Sequence, residues 1–270
     1  MLASLLMMAS SAQAAEPVAR SLPVDMPLLQ IVGDKGEVTV RRVEGSQSRV
    51  TATPKRWGEG GCTLDFSGDA SQATAQALPT AEANMMESCE TAWLVELAGD
   101  TRVDINLARG KVTLEDAPAR VDVELGSGKL VLVDTQGRVD ASLGRGKIKG
   151  EHQGEGALAV GVGRIKLESL EQPISARVEL GSVKLAWSEV PQGTVVAHAG
   201  IGRVRTALPY GATADMADFD RRLASFRTAI PHRNSADTRL EGGARLGATR
   251  VKTVIEHDEP EAQDVVVSAE

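Results

Sequence analysis

The middle of the chain is a repeat in which hydrophobic and polar residues alternate on both sides of a short glycine turn. The first three copies, starting at residue 101, read TRVDINLARGKVTLEDAPA, RVDVELGSGKLVLVDTQG and RVDASLGRGKIKGEHQGEG. Three copies with more drift follow: ALAVGVGRIKLESLEQPI, SARVELGSVKLAWSEVPQG and TVVAHAGIGRVRTALP. The copies share an aliphatic residue, a Gly-x-Gly turn, a basic residue and another aliphatic residue, except that the first copy has Ala108 for the first glycine and the fifth has Val183 for the second. This pattern predicts a strand, a tight turn and a second strand in every copy.

The second glycine of each turn sets the repeat length. It recurs at steps of 18, 18, 17, 20 and 19 residues when Val183 takes its place in the fifth copy. The slot holds Gly110, Gly128, Gly146, Gly163, Val183 and Gly202. In the second copy the alternation predicts a buried face made of Val121, Val123, Leu125, Leu130 and Leu132. In the fifth copy the same face comprises Ile174, Ala176, Val178, Leu180, Leu185 and Trp187.

Such copies can form a chain of antiparallel hairpins or a solenoid whose coils stack in parallel. Copies that keep the same inward residue at the same slot favour stacking of like on like. The prediction is therefore an all-β fold, a single β-solenoid of stacked two-strand coils of about 18 residues. Weaker copies of the turn at 32–40 and 246–251 extend this domain to residues 15–256, with the clearest repeats at 101–208.

Two segments interrupt the repeat. Residues 67–88 are rich in Ala, Ser and Gln, and residues 210–230 carry apolar residues at helical spacing. The apolar positions are Met216, Phe219, Leu223 and Phe226, with Thr213 as the candidate N-cap. We predict a short capping helix there, which would cover an exposed strand edge. Residues 257–270 are predicted to form an acidic mobile tail.

The N-terminus and the cysteines indicate an exported protein. Residues 1–14 carry no charge and end in Ala12-Gln13-Ala14, which predicts a signal peptide and a periplasmic, secreted or cell-surface location. No later stretch has the roughly 20 apolar residues that a transmembrane helix needs. Cys62 and Cys89 are the only cysteines, and export favours a disulfide between them. Two separate buried thiols or a metal pair are the alternatives, and no nearby histidine completes a metal site.

The repeated turn between short Val/Leu strands, at about 18 residues behind a signal peptide, resembles the bacterial putative-adhesin β-strand-repeat family. That family is related to the head-GIN-type putative auto-transporter adhesin domains. The resemblance covers residues 28–256 and is strongest over 101–206. It implies an extracytoplasmic β-repeat protein with an adhesin-like role and without catalytic residues. This chain departs from the family where Asp or Asn often follows the second glycine, because a base stands there instead.

Composition narrows the candidate chemistry. Aromatic residues make up 3% of the chain and the net charge is −7, which argues against a nucleic-acid partner and against aromatic sugar-binding platforms. The four histidines lack metal-ligand spacing, and the Gly-Ser-Gly-Lys turn at 126–129 lacks the pattern of a phosphate-binding loop. We predict no metal, no cofactor and no enzymatic activity. A carbohydrate-active enzyme on a β-helix is the less favoured alternative.

The basic residue after the turn is the candidate binding feature. Stacked coils would bring these bases into one row, made of Lys111, Lys129, Lys147, Arg164, Lys184 and Arg203. The first interpretation is a solvated edge whose charge is balanced by neighbouring acids, namely Asp104, Glu124, Asp140 and Glu179. The second interpretation is a binding strip for an anionic polymer or a lipid headgroup.

The sequence therefore favours an exported, non-enzymatic β-repeat protein that acts as an adhesin-like or structural interaction module of the bacterial envelope. The alternative is a protein that binds an envelope polyanion, such as lipopolysaccharide, through the row of bases. An envelope protein or an anionic envelope polymer is the expected partner in these two cases. The oligomeric state and the handedness of the coil are left open.

Overall fold

The computed structural model describes residues 16–23, 26–57, 61–80, 89–117, 120–215, 224–228 and 238–254. The predicted signal peptide and the acidic tail lie outside these residues. The described chain is all-β, as predicted, and its strands are mostly parallel. Contacts divide the chain into unit 1, residues 1–150, and unit 2, residues 151–270.

Unit 1 contains nine strands. They are β1 (Val18–Leu22), β2 (Leu28–Arg42), β3 (Ser48–Arg56), β4 (Cys62–Gly68), β5 (Gln72–Pro79), β6 (Glu90–Leu97), β7 (Arg102–Glu115), β8 (Arg120–Thr135) and β9 (Arg138–His152), which ends two residues into unit 2. The main sheet runs β1-β3-β6-β2-β7-β8-β9. β2 pairs in parallel with β5, β6 and β7, and β7 pairs in parallel with β8. β3 pairs antiparallel with β1 and β6, and β4 pairs antiparallel with β5.

Unit 2 contains β10 (Gly156–Leu170), β11 (Ile174–Trp187), β12 (Gly193–Pro209), β13 (Ala214–Asp215), β14 (Ala224–Thr228) and β15 (Thr238–Val254). The order is β10-β11-β12-β15-β13, all parallel, and β14 also pairs with β15. The weak turn copies belong to β2 and β15, whose Gly36 and Gly247 pair with Gly110 and Gly202. Both therefore stack in the same register as the clear copies.

The core consists of aliphatic residues that stack on their equivalents in the next coil. Val103 pairs with Val121, and Leu107 pairs with Leu125. All the inward residues predicted for the second copy are buried, with at most 2% exposure. This stacking of like on like is the solenoid-like arrangement that the repeat predicts.

The fifth copy corrects the predicted register. Gly181, not Val183, pairs with Gly163 and with Gly202, so the steps are 18 and 21 residues. Val183 is buried instead, in line with Ile165. Leu180, assigned to the core from the alternation, is 48% exposed. The physical reason is that the alternation shifts by one residue at the corner glycine, so the residue before that glycine points outward.

The predicted capping helix is wrong where the structure describes that segment. Ala214–Asp215 and Ala224–Thr228 are strands that pair with β15, and residues 216–223 lie outside the described part of the chain. The free edge of β15 offers unpaired backbone groups. Pairing with that edge satisfies the backbone of both short segments, and this tertiary gain overrides the helical spacing.

The predicted disulfide is present. Cys62 and Cys89 are bonded, with Cα atoms 5.7 Å apart and 27 positions apart in sequence. Cys62 begins β4 and Cys89 immediately precedes β6, so the bond joins the β4–β5 hairpin to the strand that pairs with β2. Under a chain-entropy model, closing such a loop stabilises the folded state by roughly 3 to 4 kcal/mol.

A row of ion pairs crosses the outer face of unit 1. The motif Arg-Val-Asp begins β7, β8 and β9, and each arginine bonds the aspartate of its own strand. Arg102 and Arg120 also reach the aspartate of the next coil, at 2.9 Å and 3.4 Å. The row therefore joins three coils through alternating charges, in the order Asp104, Arg102, Asp122, Arg120, Asp140 and Arg138.

Two carboxyls of this row differ in their pKa. Burial raises the pKa of Asp104, and repulsion from Asp122 adds to that rise. At Asp122 burial acts in the same direction, but the hydrogen bond from Arg120 and the charges of Arg102 and Arg120 hold its pKa below the usual value. The difference arises because two guanidinium groups bond Asp122 and only one bonds Asp104.

We expect Gly128→Ala to lower the free energy of unfolding by about 3 kcal/mol. Gly128 has φ +149°, and a Cβ there would lie far inside the van der Waals distance of the Gly110 carbonyl oxygen. Backbone strain and overpacking each contribute about 1 to 3 kcal/mol. The control is Gly45→Ala, at φ +131° with no neighbour within 4 Å, for which we expect only about 1 kcal/mol of strain. Urea unfolding followed by circular dichroism measures both, and equal losses would contradict the stacking argument.

We expect Asp122→Asn to destabilise the protein at pH 7 by about 1 kcal/mol, and Asp104→Asn to have almost no effect. The pKa of Asp122 is lowered in the folded state, so its carboxylate stabilises the fold above the unfolded pKa of about 3.9. That contribution disappears as the pH falls through the folded pKa. The Asp122 effect in urea unfolding should therefore be smaller at about pH 3 than at pH 7. An effect of equal size at both pH values would show that packing, not charge, holds Asp122.

Candidate functional site

Three of the predicted bases form a row at the corner of the coils in unit 1. Lys111 and Lys129 are paired residues of β7 and β8. Gly146 of β9 stacks on Gly128 of β8. This stacking brings Lys147, the residue after Gly146, next to Lys129. We call Lys111, Lys129 and Lys147 the basic row. At the other end of this row Glu37 of β2 is the partner of Lys111.

The charges of the basic row repel one another. The pKa of Lys129 is lowered, first by the charge of Lys149, then by burial and by the charges of Lys111 and Lys147. Among the described residues, no ion pair includes any of these four lysines. The row is therefore a local concentration of positive charge, with Glu37 at one end, on a chain whose net charge is −7.

The acids that could have balanced these bases are engaged elsewhere. Asp104 and Asp140 belong to the Arg-Val-Asp row, where they bond Arg102 and Arg138. Glu124 accepts a hydrogen bond of 3.2 Å from the Asn106 amide. In unit 1 the described contacts of Asp104, Asp140 and Glu124 therefore go to Arg102, Arg138 and Asn106, and Glu37 is an acid that lies opposite a lysine of the row.

Sequence reasoning missed further bases beside the basic row. Arg109 and Arg145 occupy the position between the two small residues of the turn, and both are exposed. The signal was present in the sequence, since both arginines stand immediately before a slot glycine. The position before the glycine varies between copies, as Arg109, Ser127 and Arg145 show, and so its bases do not form a repeated signal.

In unit 2 the predicted bases do not share one row. Arg164 pairs with Ser182, and Ser182 pairs with Arg203, so a serine separates the two arginines. Lys184 lies two residues further along, beside Lys166 and Arg205. The correction follows from Gly181 holding the corner slot. Lys166 and Lys184 also bond Glu168, at 2.9 Å and 3.3 Å, and hydrogen bonding with Lys166 lowers the pKa of that carboxyl.

Unit 2 instead carries a hydrophobic row at the corner. The corner of each coil is marked by the glycine that stacks on its equivalent. The residues just before these corner glycines pair with one another across β10, β11, β12 and β15. They are Val162, Leu180, Ile201 and Leu246, and they are 41%, 48%, 52% and 44% exposed. We call these four residues the aliphatic row. The prediction from periodicity missed it, because a hydrophobic residue at an alternating position was assigned to the core.

Metal binding and hydrolytic chemistry require clustered side chains. No cluster of three His, Cys, Asp or Glu side chains occurs among the described residues, and His152 is buried with its Nε2 3.1 Å from the Glu155 carbonyl oxygen. A cavity of about 320 Å³ in unit 1 is lined by one carboxylate, Asp69. That carboxylate accepts hydrogen bonds from Ser71 and Gln72, whereas glycoside hydrolysis needs a pair of carboxylates. No helix long and apolar enough to cross a membrane is found in the part of the chain that the structure describes.

No protein-family model and no curated protein matches this chain. Among solved structures, a putative adhesin from Bacteroides fragilis superposes with a TM-score of 0.50 at 12% identity, over 88% of this chain and 97% of that one. A putative cell adhesion protein from Clostridium sporogenes gives a TM-score of 0.33 at 10% identity, over 88% and 99% of the two chains. A putative adhesin from Parabacteroides distasonis gives 0.26 at 10% identity, over 88% and 97%. The likeness to the Bacteroides fragilis protein confirms, at the level of fold, the resemblance to adhesin-type β-repeat proteins.

Proposed function

We propose that this protein is an exported, non-enzymatic, adhesin-like module of the bacterial envelope that binds anionic polymers through the basic row of unit 1. The observation that carries the proposal is the cluster of positive charge at Lys111, Lys129 and Lys147, with Lys149 beside them, for which no ion pair occurs among the described residues. Like charges held close together destabilise a surface unless something else neutralises them. A ligand with repeated negative charges provides that neutralisation.

Export is supported by two features from different parts of the chain. The disulfide between Cys62 and Cys89 is typical of proteins that fold in an oxidising compartment. The apolar N-terminal segment that ends in Ala12-Gln13-Ala14 has the pattern of a secretory signal. Together they favour the periplasm or the cell surface, where anionic polysaccharides are abundant.

The geometry of the basic row suits a polymer better than a small anion. Neighbouring strands are about 4.8 Å apart, so the three lysines present charges at a regular short interval along an exposed corner. Lys111 and Lys147 are exposed. An extended polyanion can bind several of these charges at once, and multivalent contacts compensate for the weakness of each single one.

A charge-neutralising variant tests this proposal. We expect Lys111→Gln/Lys129→Gln/Lys147→Gln to weaken binding to alginate, a lipid-free polyuronate, by at least about tenfold, since each lysine near an anionic surface contributes about 1 kcal/mol. Binding of the wild-type protein should also weaken as salt increases, because the contact is electrostatic. Isothermal titration calorimetry or biolayer interferometry on the chain without residues 1–14 gives the affinity, with neutral dextran as the uncharged polymer.

The matched control removes the same number of charges elsewhere. Arg49→Gln/Lys55→Gln/Lys252→Gln replaces three exposed cations that lie outside the basic row. We expect this control to keep most of the alginate affinity. Equal losses in the two triple variants would contradict a specific role of the basic row and would indicate a general effect of net charge.

A further inference from the structure

The aliphatic row of unit 2 exposes more hydrophobic surface than the fold requires. Its four side chains are paired neighbours on successive parallel strands, about 4.8 Å apart, so their exposed parts form one continuous strip. Single exposed hydrophobic residues are ordinary, whereas a contiguous strip indicates a contact surface.

The position just before the corner glycine holds polar residues elsewhere in the chain. In unit 1 it holds Arg109, Ser127 and Arg145, which belong to the same turn of their own coils. Those coils stack in register with polar residues at the corner, so backbone geometry does not demand an aliphatic residue there. The hydrophobic identity of all four positions in unit 2 therefore calls for a cause outside the core.

Cations border the aliphatic row on both sides. Arg164 and Arg203 stand two residues after Val162 and Ile201, and Arg205 stands two residues further on. Before the corner, Arg177 of β11 and Arg245 of β15 are exposed. One acid, Glu179, directly precedes Leu180.

This charge pattern selects among the occupants that a hydrophobic strip could have. A second copy of the chain would bring arginines against arginines in either orientation of a two-fold contact, and this repulsion opposes self-association. An anionic lipid bilayer matches both features. Its acyl region receives aliphatic side chains, and its phosphates receive guanidinium groups, which bond phosphate oxygens in a bidentate manner.

We propose that unit 2 binds the surface of an anionic lipid bilayer, with Val162, Leu180, Ile201 and Leu246 inserted at the boundary between headgroups and acyl chains. Arg164, Arg203 and Arg205 contact the lipid phosphates. This site is separate from the basic row, which has no hydrophobic strip of this kind, so the proposal does not depend on polymer binding.

The test is co-flotation of the chain without residues 1–14 with vesicles of phosphatidylcholine alone or of phosphatidylcholine with phosphatidylglycerol. We expect binding to the anionic vesicles and little binding to the neutral ones. Leu180→Ser/Ile201→Ser should reduce the partition coefficient on anionic vesicles by at least about tenfold, because it removes half of the inserted side chains. Serine is chosen because Ser127 occupies the corresponding corner position in unit 1, and circular dichroism checks that the variant is folded.

The matched control is Val133→Ser, since Val133 of unit 1 is 41% exposed but does not belong to the aliphatic row. Its partition coefficient should equal that of the wild type. Failure of the wild type to bind anionic vesicles, or an equal loss in Val133→Ser, overturns the proposal. A dimer that sedimentation velocity detects in the wild type and not in Leu180→Ser/Ile201→Ser overturns it in favour of a second copy.

Cross-tests separate this proposal from polymer binding. The Leu180→Ser/Ile201→Ser variant should bind alginate as the wild type does. The triple glutamine variant of the basic row should keep most of its vesicle binding. If the triple variant loses vesicle binding and the double serine variant keeps it, the bilayer contact lies in unit 1 and the proposal for unit 2 is wrong.

Discussion

The close stacking of corner glycines is the constraint on which the other features of this protein depend. At Gly128, Gly181 and Gly247 the backbone has a positive φ, and a Cβ would collide with the carbonyl oxygen of the glycine in the preceding coil. Only glycine permits this approach. Because the corners stack directly, the strand segments on both sides of each corner keep parallel pairing with their neighbours. The aliphatic core then follows from the register, since each inward residue meets its equivalent.

This register also multiplies the effect of each outward position. A single exposed ion pair contributes little to stability, but the Arg-Val-Asp motif places an arginine between two aspartates and connects three coils. The position after the corner glycine acts in the opposite way in unit 1, where it aligns lysines that lower the pKa of Lys129. The Arg-Val-Asp motif therefore gives a surface of paired charges, whereas the position after the corner glycine gives a row of like charges. The difference depends on which residue type stacks on its equivalent in the next coil.

The surface is consequently where function has to be sought. The core is a set of stacked aliphatic residues, and the described residues hold no group of three His, Cys, Asp or Glu side chains that could bind a metal ion. Rows of identical chemistry are instead suited to extended partners, such as polymers and bilayers, which present many weak contacts at once. The two rows occupy different positions of the corner. The basic row follows the corner glycine in unit 1, whereas the aliphatic row precedes it in unit 2, at the position that Arg109 and Arg145 hold in unit 1.

The sequence by itself determined the all-β repeat, the inward residues of the second copy, the disulfide and, out of six bases expected in one row, the stacking of three lysines. These features follow from local alternation, from glycine spacing and from the number of cysteines, all of which can be read within one or two repeats. Only the tertiary structure decided that Gly181 holds the corner, that Leu180 is exposed, and that Asp104 and Asp140 serve arginines. It also decided that residues 224–228 form a strand. Each of these outcomes depends on which residues of a neighbouring coil lie opposite, and that pairing is set by stacking contacts between strands distant in sequence.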